Sequence, residues 1–451
     1  MNHKALLIVV VLGLMGCDGG DDGAPGEDAT PDLGVAGDVA PDIAGPISWE
    51  SDFEPDVENR NGVWILRLKG TPYDMGVQFA TLMRDQLIEA VEIMENTQEL
   101  SLMEPIAQAM GFLDEASAMS YPWAVEECQG MADVLGDEGW TYERCIMLAW
   151  GDVIIEHLQW ELNFCTQFIA AGDATVDGEL VHGRNLDWSD WDAIDFLLGN
   201  PTIIVRHPEG RIPTVSIGFP GNVTPYTAMS AAGLSMASND ADALQGSIDR
   251  VGRSHVQMVR EVLETATSLE DAEAFLLSQD HMVSEILTVA DGNRRKGAVF
   301  ELTGAAQAVR PLNGDGVAWA TNHFLEEATA AHSLLVNESE STQQRHDRLS
   351  VLLGPGEDGL IGQLDPETAV AVLRDRINPI TGTECPADAW KTCISIGTNG
   401  TVHGIVFIPG RRHFFVALGP TPVLSNPFQG YSLYALLGLE DPSPLENPAI
   451  P

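Results

Sequence analysis

The stretch Asn163-Phe-Cys165-Thr-Gln-Phe-Ile-Ala-Ala-Gly172-Asp-Ala-Thr-Val-Asp177-Gly-Glu-Leu-Val-His-Gly183-Arg184-Asn185-Leu-Asp187-Trp188 decides the fold. From Cys165 the residues alternate in the manner of a β-strand, Asp177-Gly178 supplies a turn, and a second strand follows from Glu179. Two adjacent strands then bring together a thiol (Cys165), a guanidinium (Arg184) and a carboxylate (Asp187). A cysteine nucleophile whose protonation is managed by charged neighbours needs this set. Taken alone, Arg184-Asn185-Leu186-Asp187 also fits a polar turn carrying a surface ion pair.

Upstream of this stretch the pattern is mostly helical. A short strand, Val63 to Leu68, turns through Gly70-Thr71-Pro72 into a helix expected from Tyr73 to Gln98. Further helices are expected over 103–119, 122–135 and 141–158. Downstream the period changes to strands, expected over 165–171, 179–185, 201–207, 213–219, 234–239, 286–291, 297–302 and 316–321. Helices at 254–265, 268–277, 343–353 and 366–377 interrupt them, and a final meander is expected over 394–399, 401–408 and 413–418. Strands sandwiched by helices on both sides predict an α+β, four-layer αββα body behind a mostly helical N-terminal segment.

The ends of the chain have a different composition. Residues 1–16 read as an export signal, with Lys4 before an apolar run too short for a membrane span. Leu14-Met15-Gly16-Cys17 resembles a bacterial lipobox, which would make Cys17 a lipidated N-terminus. Residues 17–58 are rich in Asp, Gly, Pro and Ala and contain no Lys or Arg, so a disordered acidic tether is expected. The helical segment then spans 59–164, the catalytic domain 165–440 and a tail 441–451. The expected place is the bacterial cell envelope, with the membrane contacted through lipid alone. Sixty-seven acidic against 23 basic side chains, a net charge of -44, argue against nucleic acid as a partner. An exported protein can hold disulfides. Cys385 and Cys393 flank a short loop, and Cys128 and Cys145 lie in neighbouring predicted helices. The cysteine spacings suit no metal site.

The Cys165–Trp188 segment resembles the N-terminal-nucleophile (Ntn) hydrolases. The particular likeness is to the acyl-coenzyme A:6-aminopenicillanic acid acyltransferase family, and more distantly to the choloylglycine and penicillin V hydrolases. Supporting likenesses are Gly70-x-Pro72-x-x-x-Gly76-x-Gln78, Thr321-Asn322-His323-Phe324, and the helix start at Ser341 with Arg345 and Arg348. The resemblance implies an Ntn sandwich in which Cys165 becomes N-terminal after cleavage at Phe164–Cys165. Phe164 stands where a small residue is common in the family. Asp187 would then hold the new α-ammonium group, Arg184 would face the thiol, and Arg345 would be a further charged residue at the site. Asn239 and Asn322 are candidates for the oxyanion donors.

The expectation is a self-processing cysteine hydrolase that cleaves small acyl amides through a thioester and uses no cofactor. The alternatives are transfer of the acyl group to an amine, and a non-catalytic surface-binding lipoprotein.

Overall fold

The computed structural model describes residues 49, 51–97, 100–151, 153, 165–188, 194–241, 252–332, 340–389 and 391–451. The expected signal, the lipidated Cys17, most of the tether and Phe164 lie outside the described residues.

Before Cys165 come β1 (Asp56–Arg60), β2 (Val63–Gly70) and the helices α1 (Pro72–Leu82), α2 (Arg84–Asn96), α3 (Leu100–Ala109), α4 (Phe112–Met119), α5 (Pro122–Leu135) and α6 (Tyr142–Ala149). After it come β3 (Thr166–Gly172), β4 (Gly178–Asp187), α7 (Ile194–Gly199), β5 (Thr202–Pro208), β6 (Thr214–Gly218), β7 (Thr227–Ser230) and β8 (Leu234–Asp240). Next are α8 (His255–Thr265), α9 (Leu269–Leu277), β9 (Glu285–Asp291), β10 (Lys296–Leu302), β11 (Gln307–Pro311), β12 (Val317–Ala320) and α10 (Glu327–Ala330). The chain closes with α11 (Ser341–Leu352), α12 (Pro366–Leu373), β13 (Thr401–Ile408), β14 (His413–Ala417), β15 (Phe428–Ser432), α13 (Leu433–Leu436) and β16 (Ala449–Ile450).

The strands form two sheets, one of nine strands in the order β1-β2-β5-β6-β7-β8-β9-β10-β11, the other of seven in the order β12-β3-β4-β13-β14-β15-β16. Alternating side chains pack the sheets face to face: Ile65, Ile203, Val205 and Ile217 meet Ile405, Phe407, Phe414 and Val416 in one buried cluster. The opposite faces carry helices. Leu66, Leu68 and Ile204 join the helices before Cys165, Met236, Leu287 and Phe300 pack on α8 and α9, and Phe168, Val181 and Val406 pack on α11 and α12. This is the αββα sandwich that the alternation of strands and helices predicts.

Several boundaries differ from expectation. The helix expected from Tyr73 to Gln98 breaks at Met83, whose φ of -111° and ψ of 27° are not helical. The helix expected over 103–119 breaks at Gly111, which takes φ +76°. No strand forms over 394–399; the loop folds back instead, with Gly397 N–H on Asp375 O at 2.8 Å and Asn399 N–H on Ala389 O at 3.1 Å. Asp56, Val57 and Glu58, assigned by composition to the tether, already pair in β1. The N-terminal segment is also more than helices, because β2 runs parallel to β5 inside the nine-stranded sheet.

The Gly70–Gln78 motif acts as a clamp in this packing. Thr71 and Asp74 form a capping box with Pro72 in the first turn of α1. Gly76 has no room for a Cβ, which would overlap the Glu127 carbonyl oxygen, so α1 and α5 cross in close contact. Gln78 donates to Lys69 O at 2.7 Å and accepts from Lys69 N at 2.9 Å, tying the helix to the end of β2.

Beneath α5 lies an ionic cluster. Glu127, fully buried, accepts from Arg206 Nη2 at 3.0 Å and Arg260 Nη1 at 2.6 Å. Those arginines also donate to Asn222 O at 3.1 Å and Val223 O at 2.8 Å, which pins the loop between β6 and β7. Burial raises the Glu127 carboxyl, but Arg206 and Arg260 outweigh it and hold it below the ordinary value. Disulfides join Cys128 to Cys145 and Cys385 to Cys393. Among the described residues no helix is long and apolar enough to cross a membrane.

Candidate active site

Cys165 immediately precedes β3 and is the one free cysteine among the described residues, 4% exposed. The register Thr166↔Asn185 sets it beside the end of β4, so the Arg184–Asp187 segment lies next to the thiol. The glycine before Arg184 is required by packing: a Cβ on Gly183 would overlap the ring of Phe168, its partner across the ladder. Alternation along β4 then sends successive side chains to opposite faces. Arg184 reaches the other sheet, donating to Tyr226 O at 2.9 Å, to the Thr227 hydroxyl and to Ser238 O. Asn185 reaches the outer helices, donating to Leu373 O at 2.9 Å.

Arg184 Nη2 lies 3.7 Å from Cys165 Sγ, and the thiol itself points to Asp187 O at 3.7 Å. Burial pushes the Cys165 thiol up to about 11; Arg184 opposes this, while Asp240 and Asp187 add to it. The balance of these effects favours the protonated thiol.

Asp187 is 2% exposed. Its Oδ1 accepts from the Thr401 hydroxyl at 2.6 Å, while its buried Oδ2 has no hydrogen-bond partner among the described residues. Burial lifts its carboxyl to about 7, against the Thr401 bond and the charges of Arg345 and Arg184. A buried acceptor without a donor is costly, so this oxygen is suited to receive one.

Arg345, on α11, donates to Cys165 O, to Thr166 Oγ1 at 3.0 Å and to Asn322 Oδ1 at 2.9 Å. It is thus brought to the backbone of Cys165. Burial lowers its guanidinium to about 10, and Asp187, Cys165 and Asp240 counter that shift. Asn322 gives its amide to Asp240, at 3.0 Å to the backbone oxygen and 3.1 Å to Oδ1. Asn239 gives its amide to Thr321 O at 2.9 Å. In this arrangement neither asparagine lines the cleft over the thiol; Asn322 bridges Arg345 to Asp240.

The cleft, a narrow one with a cavity volume of about 20 Å³, is lined by Cys165, Leu186, Asp187, Trp188, Tyr226, Ser238 and Asp240. A second, narrow compartment, with a cavity volume of only about 10 Å³, shares Leu186, Trp188 and Tyr226 with it, and adds Leu197, Ile217, Phe219, Val402, His403 and Leu418. Trp188 and Tyr226 meet edge to face, with ring centroids 5.9 Å apart. Of the polar residues at the site, sequence reasoning missed Tyr226, Thr227, Ser238, Asp240, Thr401 and His403. Ser238 and Asp240 adjoin the candidate Asn239, which was a usable signal; the others reach the site only through long-range pairing. Among the described residues no group of three His, Cys, Asp or Glu side chains is arranged to hold a metal ion.

Known proteins show corresponding likenesses. An uncharacterized protein of Archaeoglobus fulgidus is 26% identical over 289 residues, 58% of this chain, which spans about half of that protein's length (47%). Among solved structures, an N-acylethanolamine-hydrolyzing acid amidase ortholog of Caenorhabditis elegans is 20% identical with a TM-score of 0.38, covering 55% of this chain and 93% of that one. A mutant of the conjugated bile acid hydrolase of Clostridium perfringens is 13% identical with a TM-score of 0.39, covering 62% and 97%. The penicillin V acylase of Agrobacterium tumefaciens is 14% identical with a TM-score of 0.33, covering 56% and 83%. Residues 177–397 match the family model of the acyl-coenzyme A:6-aminopenicillanic acid acyl-transferases; the match takes in Arg184–Asp187, Thr321–Phe324 and the helix start at Ser341, so the likeness to that family is shown for this part of the chain, with Cys165 and the Gly70–Gln78 motif lying before it.

Proposed function

We propose that this chain is an Ntn-type cysteine enzyme that cleaves acyl amides after cutting its own backbone before Cys165. The observation that carries the reading is the unpartnered Asp187 Oδ2, buried beside Cys165. Among the described residues nothing donates to it. A cut between residues 164 and 165 creates an ammonium group on Cys165, which supplies both a donor and a countercharge.

In the cut, Cys165 Sγ attacks the carbonyl carbon of residue 164. The C–N bond breaks, the nitrogen takes the thiol proton, and a thioester forms. Water then hydrolyses the thioester, leaving a carboxylate on residue 164 and a free thiol and amine on Cys165. An α-amino group of ordinary pKa, about 7.7–8.0, is a competent base for the adjacent thiol. Arg184 favours the thiolate by Coulomb attraction. The thiolate adds to the substrate's acyl carbon, the α-ammonium returns the proton to the leaving amine, and water releases the acid.

The acyl half belongs in the compartment beside Trp188, Phe219 and Tyr226, whose lining is chiefly apolar. Transfer of the acyl group to an amine remains the second reading, favoured by the description of the matched family. Export and lipid anchoring at Cys17 belong to the same proposal. Mass spectrometry of the purified protein, followed by hydrolysis of a panel of acyl amides with and without added amines, tests the reading. Two chains and released acid are expected. A single uncut chain inert toward the whole panel would overturn it.

A further inference from the structure

Behind Arg184, two strands from different sheets contribute a hydroxyl and an imidazole. Thr227 opens β7 and His403 lies in β13. Thr227 Oγ1 is 3.1 Å from His403 Nε2 and also accepts from Arg184 Nη1. All three side chains are buried. A hydroxyl has one proton, and a guanidinium can only donate. Among the described residues the hydroxyl's other partner is His403 Nε2, which can accept the Thr227 proton in the tautomer that carries the ring's own proton on Nδ1. Burial, with the Arg184 charge second, keeps this imidazole well below its ordinary range and hence neutral.

Apart from its contact with Cys165 Sγ, the hydrogen bonds of Arg184 among the described residues go to neutral oxygens: Tyr226 O, Thr227 Oγ1 and Ser238 O. Among the described residues no carboxylate lies within ion-pair distance of it, so its charge is left for the thiol. His403 also lines the apolar compartment next to Trp188 and Tyr226. One ring thus touches both the acyl compartment and the chain of contacts that ends at Cys165 Sγ.

We propose that His403 is a positioning residue which, by accepting the Thr227 proton, fixes the Arg184 fork against Cys165 and links that placement to the acyl compartment. The inference rests on Cys165 being the reactive thiol, as in the function proposed above. A merely structural histidine would affect folding stability and leave the acid–base behaviour of the thiol alone.

The test follows alkylation of Cys165 by iodoacetamide, read by mass spectrometry of its peptide, from about pH 5 to pH 10. The charged groups facing the thiol are the same in every variant: Arg184 and Asp187 on β4, Asp240 ending β8 and Arg345 on α11. His403→Leu and Thr227→Val are expected to slow alkylation at pH 7 roughly three- to tenfold and move its midpoint upward by up to about one pH unit. His403→Gln offers an acceptor in place of Nε2 and Thr227→Ser keeps the hydroxyl; both should stay within about twofold of wild type. Wild-type profiles for His403→Leu and Thr227→Val would overturn the proposal, as would a His403→Gln profile displaced as far as that of His403→Leu. If His403→Leu fails to fold, the Thr227→Ser and Thr227→Val pair decides. A wild-type protein that hydrolyses no amide would refute the proposed function, while the alkylation profiles would still decide the role of His403.

Discussion

Thr401 and Asp187 face each other across β13 and β4, and the Thr401 hydroxyl donates to only one of the two carboxylate oxygens, Oδ1, at 2.6 Å. The other oxygen is buried with no donor among the described residues. Burial raises the Asp187 carboxyl above its ordinary value, and its pH behaviour should reveal this.

In the uncut fold the Asp187 carboxyl is lifted from 3.8 to about 7. Between those values the folded chain keeps a proton that the unfolded chain has released, so stability falls as pH rises through the window. Cys165→Ala, which cannot cut itself, should lose stability from about pH 4 to pH 7. The double variant Cys165→Ala/Asp187→Asn should lack that part of the loss. Urea unfolding of the two proteins at several pH values checks this, and parallel pH profiles would contradict it.

In processed protein, Asp187→Asn should keep the fold and cut turnover by roughly 10²–10⁴-fold, the usual cost of losing a positioned acid–base function. The amide retains the shape but removes the charge that orients the α-ammonium group. Steady-state kinetics on an acyl amide, with a thermal melt as folding control, measures it. A loss under about threefold would mean that Asp187 does not hold the base.

Cleavage should not separate the two pieces. Each disulfide lies wholly on one side of the cut, Cys128–Cys145 before it and Cys385–Cys393 after it. No described disulfide therefore joins the pieces, yet β2 pairs along its length with β5, and Glu127 is the buried counter-ion of Arg206 and Arg260. A non-reducing denaturing gel should show two bands, and native gel filtration a single species containing both. Separate elution of the two chains under native conditions would refute this.

Glu127→Gln should cost about 3–5 kcal/mol, because it leaves buried Arg206 without its carboxylate and Arg260 with Glu264 alone. The same change frees the carbonyl-pinned loop at Asn222 and Val223, which leads to Tyr226 at the cleft. Turnover should therefore fall even where the variant remains folded. Urea unfolding and kinetics at a temperature well below the melt separate the two effects.

The parts of the site legible in sequence are those that one hairpin brings together. Cys165, Arg184 and Asp187 sit on adjacent strands, so strand alternation and a glycine turn suffice to place them. Thr401 lies 214 positions from Asp187 and His403 176 from Thr227. Only the pairing of β13 with β4 and the stacking of two sheets make them neighbours, and no local periodicity encodes that. The same limit applies to Ile394–Asn399, whose apolar alternation suggests a strand although its backbone groups bond to the 375 and 389 loops. Met83 and Gly111 end helices that the hydrophobic pattern runs through, because pattern reports the buried face and not the backbone dihedrals. Gly183 was legible as part of a motif, but its physical reason, the Phe168 ring packed over it, was not.

The last prediction concerns the acyl compartment. Phe219 lies on its wall with Ile217, Trp188 and Tyr226, and its ring meets Trp188 edge to face at 6.5 Å. The residue is only partly buried, so Phe219→Ala should remain folded while enlarging the compartment. Longer acyl chains then gain room, and each extra methylene that is buried contributes about 0.8 kcal/mol, or roughly fourfold in kcat/KM. Short chains lose contacts with the missing ring and should be cleaved less well. Measuring kcat/KM across a series of unbranched acyl amides should show the optimum moved to longer chains in the variant. An unchanged optimum, with all lengths affected alike, would place the acyl group elsewhere. The cleft over Cys165 would then have to hold it, and Asp240 and Ser238 line that cleft. The substrate would in that case be small and polar, and substitution of Asp240, not Phe219, would change which amides are cleaved.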